Sequence, residues 1–359
     1  GINVDGQPIE DFKEDRFKYS VCVPYGIDDI PEITPVISDP DVEVTVTQAT
    51  SIPGVATIVT REGSFQQTYY VGIGRPPLAA DFTKGELGDE WAIYNEDSGN
   101  YAFTDGGLQI TTQVGDFSDN SINNLFLQQA AGDWLVQTNI KLSATPSANY
   151  QQAGLVVFED TDNYIKLDYE YSSNTAFKFF NTVNGEMTTV ASVNVSGLTD
   201  LYLRLIKEGS KYTAYYSTDG VAYTELGSTT AAYVNPQIGL LASNGAPSQA
   251  GSINATFKYL KVAEPDAGFP AASSITVNGE TIEGFSPDVT KYVIKMQRGS
   301  AVPEIAAVPA SPSMTVEVIP PESIPGVAEV LVSNELGSTI YSIAFGSAPV
   351  SYDFTAGGP

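Results

Sequence analysis

The sequence predicts an all-β protein, and three observations carry that prediction. The chain of 359 residues holds 32 glycines, 22 prolines, 20 tyrosines and 16 phenylalanines among many Val, Ile and Thr, with only 17% charged residues. That is the composition of strands joined by turns. No segment shows a convincing helical period, whereas short runs alternate apolar and polar residues with period two. One block recurs near both ends, so the strands fall into modules. At this length two or three domains are expected, each large enough to bury a core.

The repeat sets the module boundaries. Residues 2–74 recur at 275–346, with Ile2 matching Ile275, Gly6 matching Gly279, Phe12 matching Phe285 and Tyr19 matching Tyr292. Pro31-Glu32-Ile33 returns as Pro303-Glu304-Ile305, and Ser51-Ile52-Pro53-Gly54-Val55-Ala56 as Ser323-Ile324-Pro325-Gly326-Val327-Ala328. In each copy Asp5-Gly6 or Asn278-Gly279 is the dipeptide of a two-residue hairpin turn, where both positions need positive φ. Residues 42–46 and 315–318 alternate as half-buried strands should. Pro53-Gly54 and Pro325-Gly326 mark the turn that follows. Cys22, the single cysteine, lies between Val21 and Val23 and reads as a structural strand residue; it has no partner for an internal disulfide.

The copies resemble the cadherin-like, immunoglobulin-like β-sandwich modules of bacterial extracellular proteins. The resemblance rests on Gly284-Phe285-Ser286-Pro287 and Tyr292 in the second copy and on the Tyr-containing last strand of both. The first copy departs from the pattern, with Asp11 and Glu14 where Gly and Pro stand. Pro53 and Pro325 are as far apart as Asp81 and Asp353, so Asp353-Phe354-Thr355 takes the place of Asp81-Phe82-Thr83. The expected order is a small sandwich at 1–76, a larger domain at 78–264, a second small sandwich at 271–347 and the start of a further, truncated domain at 350–359. The chain then reads as an excerpt from an array, with other domains of the same parent chain as its neighbours.

Between the copies, strand-length runs such as AGLVVFED, NYIKLDYEYSS and LYLRLIKEG are divided by turns, with hairpin tips expected at Asn184-Gly185 and Asp219-Gly220. So many strands without a blade-length period suit a jelly-roll sandwich. The order Asp81-Phe82, Trp91, Gly107-Leu108-Gln109-Ile110, Gln152-Ala153-Gly154-Leu155, Asp162-Asn163-Tyr164-Ile165-Lys166-Leu167, Leu203-Arg204-Leu205 and Tyr216-Ser217-Thr218-Asp219-Gly220 resembles a concanavalin A-like family. Its members include the C-terminal domains of family 43 β-xylosidases and related glycoside hydrolase accessory domains. Tyr223 stands where Trp is common in such sequences. The resemblance implies a concanavalin A-like jelly roll flanked by two small sandwiches, and a non-catalytic accessory fragment of a secreted, multimodular glycan-active protein. Xylan, arabinan or β-glucan is the implied ligand class, and the expected location is extracellular or at the bacterial cell surface.

Alternation along residues 164–171 puts Ile165, Leu167, Tyr169 and Tyr171 on the core face and Tyr164, Lys166, Asp168 and Glu170 on the other. Strand pairing extends the polar set with Gln152, Lys178, Tyr202 and Arg204, which alternate away from their own apolar neighbours. Aromatic faces for C–H surfaces, together with ionic and amide groups for hydroxyls, are what sugar recognition needs. The competing readings are a solvated face of exposed ion pairs, each worth about 0–1 kcal/mol, and a loop site using Tyr94, Tyr150 or Trp134. Trp91 and Trp134 read as core.

Other chemistry is narrowed by what the sequence holds. With no histidine, Ser-His-Asp and Cys-His catalysis and most zinc sites are excluded. Gly72-Ile73-Gly74 precedes Arg75-Pro76-Pro77 and reads as interdomain linker, not as a nucleotide loop. Asp168 and Glu170 share a strand face at about 6.5–7 Å between Cα atoms, which leaves a hydrolytic carboxylate pair open. The Glu-x-Asp-x-Glu strand of some concanavalin A-like hydrolases carries Lys166 here in place of its first Glu. No cofactor is expected beyond a structural calcium, for which Asp97, Asp116 and Asp119 in Asp/Asn-rich turns are the candidate ligands. A net charge of −26 repels phosphate backbones and anionic bilayers, so neither nucleic acid nor membrane insertion is expected. No signal peptide is read at the start of the chain. The sequons at Asn194 and Asn254 are short enough to arise by chance.

Overall fold

In the computed structural model, residues 1–245, 251–287, 289–297 and 299–347 are described. The further domain expected at 350–359 lies outside them. Strands and two short 3-10 turns are the regular elements among the described residues. The chain forms two compact units, Gly1–Pro265 and Asp266–Pro359.

The repeat in sequence is a repeat in topology. Each copy has a three-stranded and a four-stranded sheet with the same strand order. In each, a strand, Lys18–Cys22 or Lys291–Met296, runs parallel to the module's last strand, with Tyr19 beside Val71 and Tyr292 beside Ile343. The Tyr19 hydroxyl accepts from Lys13 N and donates to Lys13 O, at 3.0 and 2.8 Å; Tyr292 does the same with Ser286, at 2.9 Å each way. Both hairpin tips take the positive φ that their sequence predicts: 49° and 78° at Asp5-Gly6, 54° and 83° at Asn278-Gly279. Residues Glu43–Thr47 and Thr315–Ile319 alternate in exposure. Each module closes on its own apolar core, around Ile33, Ile58 and Ile73 in the first and Val330, Tyr341 and Ile343 in the second.

The central sandwich stacks two antiparallel sheets. The first has seven strands, in the order Glu186–Asn194, Asn174–Val183, Asn163–Ser172, Gln152–Asp160, Gln237–Ser243, Leu125–Gln129 and Ala92–Tyr94. The second has eight, led by Tyr101–Thr104, Gly107–Thr111, Asn254–Ala263, Trp134–Leu142, Asp200–Glu208, Lys211–Ser217 and Thr224–Thr230, with Ala80–Asp81 pairing off the path. Alternation drives the stacking: Ile165, Leu167 and Tyr169 face Leu201, Leu203 and Leu205 in one buried core. Each such side chain contributes about 1.5–3 kcal/mol on burial. Asn184-Gly185 forms the predicted hairpin tip, with φ of 50° and 79°. Trp134 is buried and donates through Nε1 to Ala130 O at 3.0 Å, so it is core and unavailable to a ligand. Trp91 packs edge-on against Phe82.

Gly72-Ile73-Gly74 is not linker. These residues end the strand Phe65–Gly74, with their side chains or backbone buried. Gly72 is dictated by a close approach, since a Cβ there would stand 1.6 Å from Val234 O. The first copy thus seats its four-stranded sheet against the central sandwich. Lys18 pairs with Glu159 at 2.6 Å, and Cys22, a strand residue as expected, lies against Gly132. The true connection is short and tied down: Gln128 receives Leu78 N through Oε1 and donates to Leu78 O.

Candidate functional site

The strand Asn163–Ser172 lies between Gln152–Asp160 and Asn174–Val183, with Asp168 opposite Gly154 on one side and Lys178 on the other. Because Ile165, Leu167 and Tyr169 enter the core, Lys166, Asp168 and Glu170 project from the outer face of the first sheet. There they form one ionic network. Lys166 Nζ donates to Gln152 Oε1 at 2.6 Å and to Glu170 Oε2 at 3.2 Å, and lies 3.0 Å from Asp168 Oδ2. Lys178 Nζ donates to Glu170 Oε1 at 2.8 Å. The Phe180 ring lies beneath Lys166, 4.7 Å from its ammonium.

The face is enclosed, not solvated. Asp168 is 0% exposed, and Lys166 and Glu170 are also buried; Lys178 reaches furthest out, its side chain 15% exposed. Neither Asp168 oxygen receives a directed hydrogen bond, so its contact with Lys166 is Coulombic. Burial pushes the Asp168 carboxyl up to about 7, against the lowering pull of Lys166. Burial pulls Lys166 down, but the charges of Asp168 and Glu170 outweigh it and hold the ammonium above its ordinary range. Gln152 Nε2 donates to Tyr150 O at 2.9 Å, which ties the network to a residue whose side chain is 43% exposed.

Six of the eight expected sugar-contacting residues therefore belong to the first sheet, but one of these has another task. Tyr164 stacks on Phe117 at 4.1 Å inside a second apolar cluster with Phe158 and Leu241, beside the ionic network. Tyr202 and Arg204 do not join the face. Their strand, Asp200–Glu208, pairs with Trp134–Leu142 in the second sheet, and with Leu201, Leu203 and Leu205 in the core they project from the opposite side of the sandwich. There Arg204 donates through Nε and Nη2 to Gln137 Oε1, at 3.2 and 2.9 Å, and stacks 3.8 Å over Tyr223. Of the loop candidates, Tyr94 is held by Phe158 and by Asn120 Oδ1, leaving Tyr150, an exposed residue whose backbone O accepts from Gln152.

The residues expected to hold calcium each serve their own turn. Asp97 accepts from Asn100, Gln113 and Gly99, and these bonds, that of Asn100 foremost, hold its carboxyl below the usual range. Asp116 accepts from the Ser118 amide and hydroxyl, and Asp119 from those of Ser121. Among the described residues no group of three or more acidic, histidine or cysteine side chains is disposed to hold a metal ion.

Residues 79–262 match the family described as the beta xylosidase C-terminal concanavalin A-like domain. The chain belongs to this family. Among solved structures, the GH43 BlXynB protein from Bacillus licheniformis is 18% identical, over 65% of this chain and 57% of that one, with a TM-score of 0.48. A xylan beta-1,4-xylosidase from Bacillus halodurans is 12% identical over the same shares, with a TM-score of 0.44. The carbohydrate binding module CBM66 from Bacillus subtilis is 18% identical over 49% of this chain and 96% of that one, with a TM-score of 0.34. No curated protein sequence matches. The chain thus spans 57% of the length of these two Bacillus proteins. Likeness at this level leaves ligand and activity to be argued from the residues themselves.

Proposed function

We propose that the chain is a non-catalytic accessory part of a secreted, multimodular glycan-active protein. Its central sandwich holds plant-type polysaccharide, xylan, arabinan or β-glucan, at the outer face of the first sheet. The observation that carries this reading is the Lys166-Asp168-Glu170-Lys178 network with Gln152. Burying four charges costs several kcal/mol per ion before their attraction offsets it, so such a network is a poor device for stability alone. Lys178, whose side chain reaches furthest out, offers a charge-assisted hydrogen bond to a sugar hydroxyl, with Glu170 holding it from behind. Asp168 acts from behind, fixing Lys166.

Hydrolysis by Asp168 and Glu170 is the weaker reading. General acid–base work needs the carboxyl to reach the scissile oxygen, and Asp168 has no accessible surface. We assign the flanking copies at 1–76 and 271–347 to cadherin-like or immunoglobulin-like sandwiches, and on this reading the parent chain carries further domains beside them. No helix among the described residues is long and apolar enough to cross a membrane. The test is retention on insoluble xylan, arabinan and β-glucan. Retention on at least one, weakened about tenfold or more in Glu170→Gln, supports the reading. Absence of retention on all three, as a spacer or adhesion array would give, contradicts it.

A further inference from the structure

A second feature lies away from the polar face, in the seam between the first small module and the central sandwich. A cavity of about 460 Å³ opens there, with Tyr212 and Tyr233 buried in its wall and exposed Glu10, Asp11 and Glu208 at its rim. Three atoms of its lining residues, Arg16 Nε, Ser20 Oγ and Tyr233 Oη, are buried without a hydrogen-bond partner. Buried polar groups are nearly always paired, so three such atoms around one cavity point to something that pairs them.

The cavity's other cations are already engaged. Lys18 is bound to Glu159, and Lys207 donates to Gly132 O at 2.6 Å and sits 3.4 Å from Asp133. The unpartnered atoms are the Nε–H of Arg16, whose guanidinium already donates through Nη2 to Asp11 O and stacks on Tyr19, and two hydroxyls that can donate or accept, beside phenol rings. The acidic rim disfavours anions. A small neutral polyol with a C–H face meets every one of these conditions, and the volume lies in the range of small-ligand pockets.

The repeat supplies an internal contrast. Aligned through Tyr19 and Tyr292, the positions of Arg16 and Ser20 are Val289 and Val293 in the second copy. There Val293 is 77% exposed. The polar atoms belong to the copy that lines the cavity. We propose that the seam cavity is a separate binding site for one or two units of a neutral sugar.

Saturation-transfer NMR on the whole chain, with millimolar glucose, xylose and xylobiose and with glucuronate as the charged comparison, tests this. With Glu170→Gln as the background, which weakens the first-sheet site, transfer to at least one neutral sugar is expected to persist, and it is expected to be lost when Arg16→Gln, Ser20→Ala and Tyr233→Phe are added. Tyr233→Phe alone removes a single oxygen and is expected to weaken binding up to about tenfold, which keeps the test sharp should the triple variant unfold. No transfer to any neutral sugar, undiminished transfer in the folded variants, or glucuronate bound as well as glucose would overturn the proposal. Loss in Glu170→Gln alone would assign the sugar to the first sheet and overturn it too.

Discussion

Gly154 stands directly across the strand pair from Asp168, and a Cβ at position 154 would come within 2.7 Å of the Asp168 Cβ and 2.1 Å of Leu167 O. The glycine makes room for the buried carboxylate. Gly154→Ala should therefore push the strand Asn163–Ser172 outward and lower stability by about 1–3 kcal/mol, as overpacking does. Denaturant unfolding of the central sandwich reads this out. An unchanged midpoint would mean that the two strands have slack between them.

The raised Asp168 carboxyl sets a pH dependence of definite sign. In the unfolded chain this group loses its proton near the ordinary Asp value of about 3.9, and in the folded chain at about 7. Between those values the folded state binds the extra proton, so this residue's contribution to stability falls as pH rises through that window and levels off above it. The stability difference between the wild type and Asp168→Asn should follow that course. A difference that grows more favourable to the wild type from acid to neutral pH would reverse the assignment.

Gly72 and Val234 define the seam in the same manner. Gly72→Val places atoms where Val234 O already lies and should release the first module from the central sandwich without unfolding either. Small-angle scattering would show a larger radius of gyration, and the Lys18–Glu159 pair would open. A variant with unaltered scattering and melting would show that the seam yields at little cost.

Arg204 provides a control on the opposite sheet. It is bonded to Gln137 and stacked on Tyr223, so Arg204→Ala should lower stability by about 1–3 kcal/mol through the unpaired groups it leaves, with polysaccharide retention unchanged. Lost retention in a folded Arg204→Ala would move the glycan site to the second sheet.

Period-two alternation made the strand faces legible in the sequence. Ile165, Leu167 and Tyr169 are in the core and Lys166, Asp168 and Glu170 are outside it, as read. Alternation says which face of its own strand a residue takes, but not which sheet that strand enters. Tyr202 and Arg204 were misplaced for that reason, since their sheet is decided by pairing with Trp134–Leu142, far back in the chain. A solvated outer face was one of the competing readings of these charges, and the burial of Asp168 comes from its pairing between two strands that no local pattern reveals. Gly72-Ile73-Gly74 read as linker because the reason for its glycine, the close approach of Val234, is distant in sequence. Tyr223 carried no local signal of its stacking on Arg204. The tips at Asp5-Gly6, Asn184-Gly185 and Asn278-Gly279, where two residues dictate φ, were legible, whereas at Asp219-Gly220 only Gly220 takes the positive φ.

In the proposed reading, the network on the first sheet holds glycan through its outermost member. Lys178 is its most accessible charge and supports no apolar core, so Lys178→Ala tests it most directly. Calorimetric titration of the whole chain with soluble xylo-, arabino- and gluco-oligosaccharides should give binding by the wild type to at least one series. Binding by a folded Lys178→Ala should be about tenfold weaker or worse. Equal affinity in the two proteins, or no heat from any series with the wild type, would contradict the account.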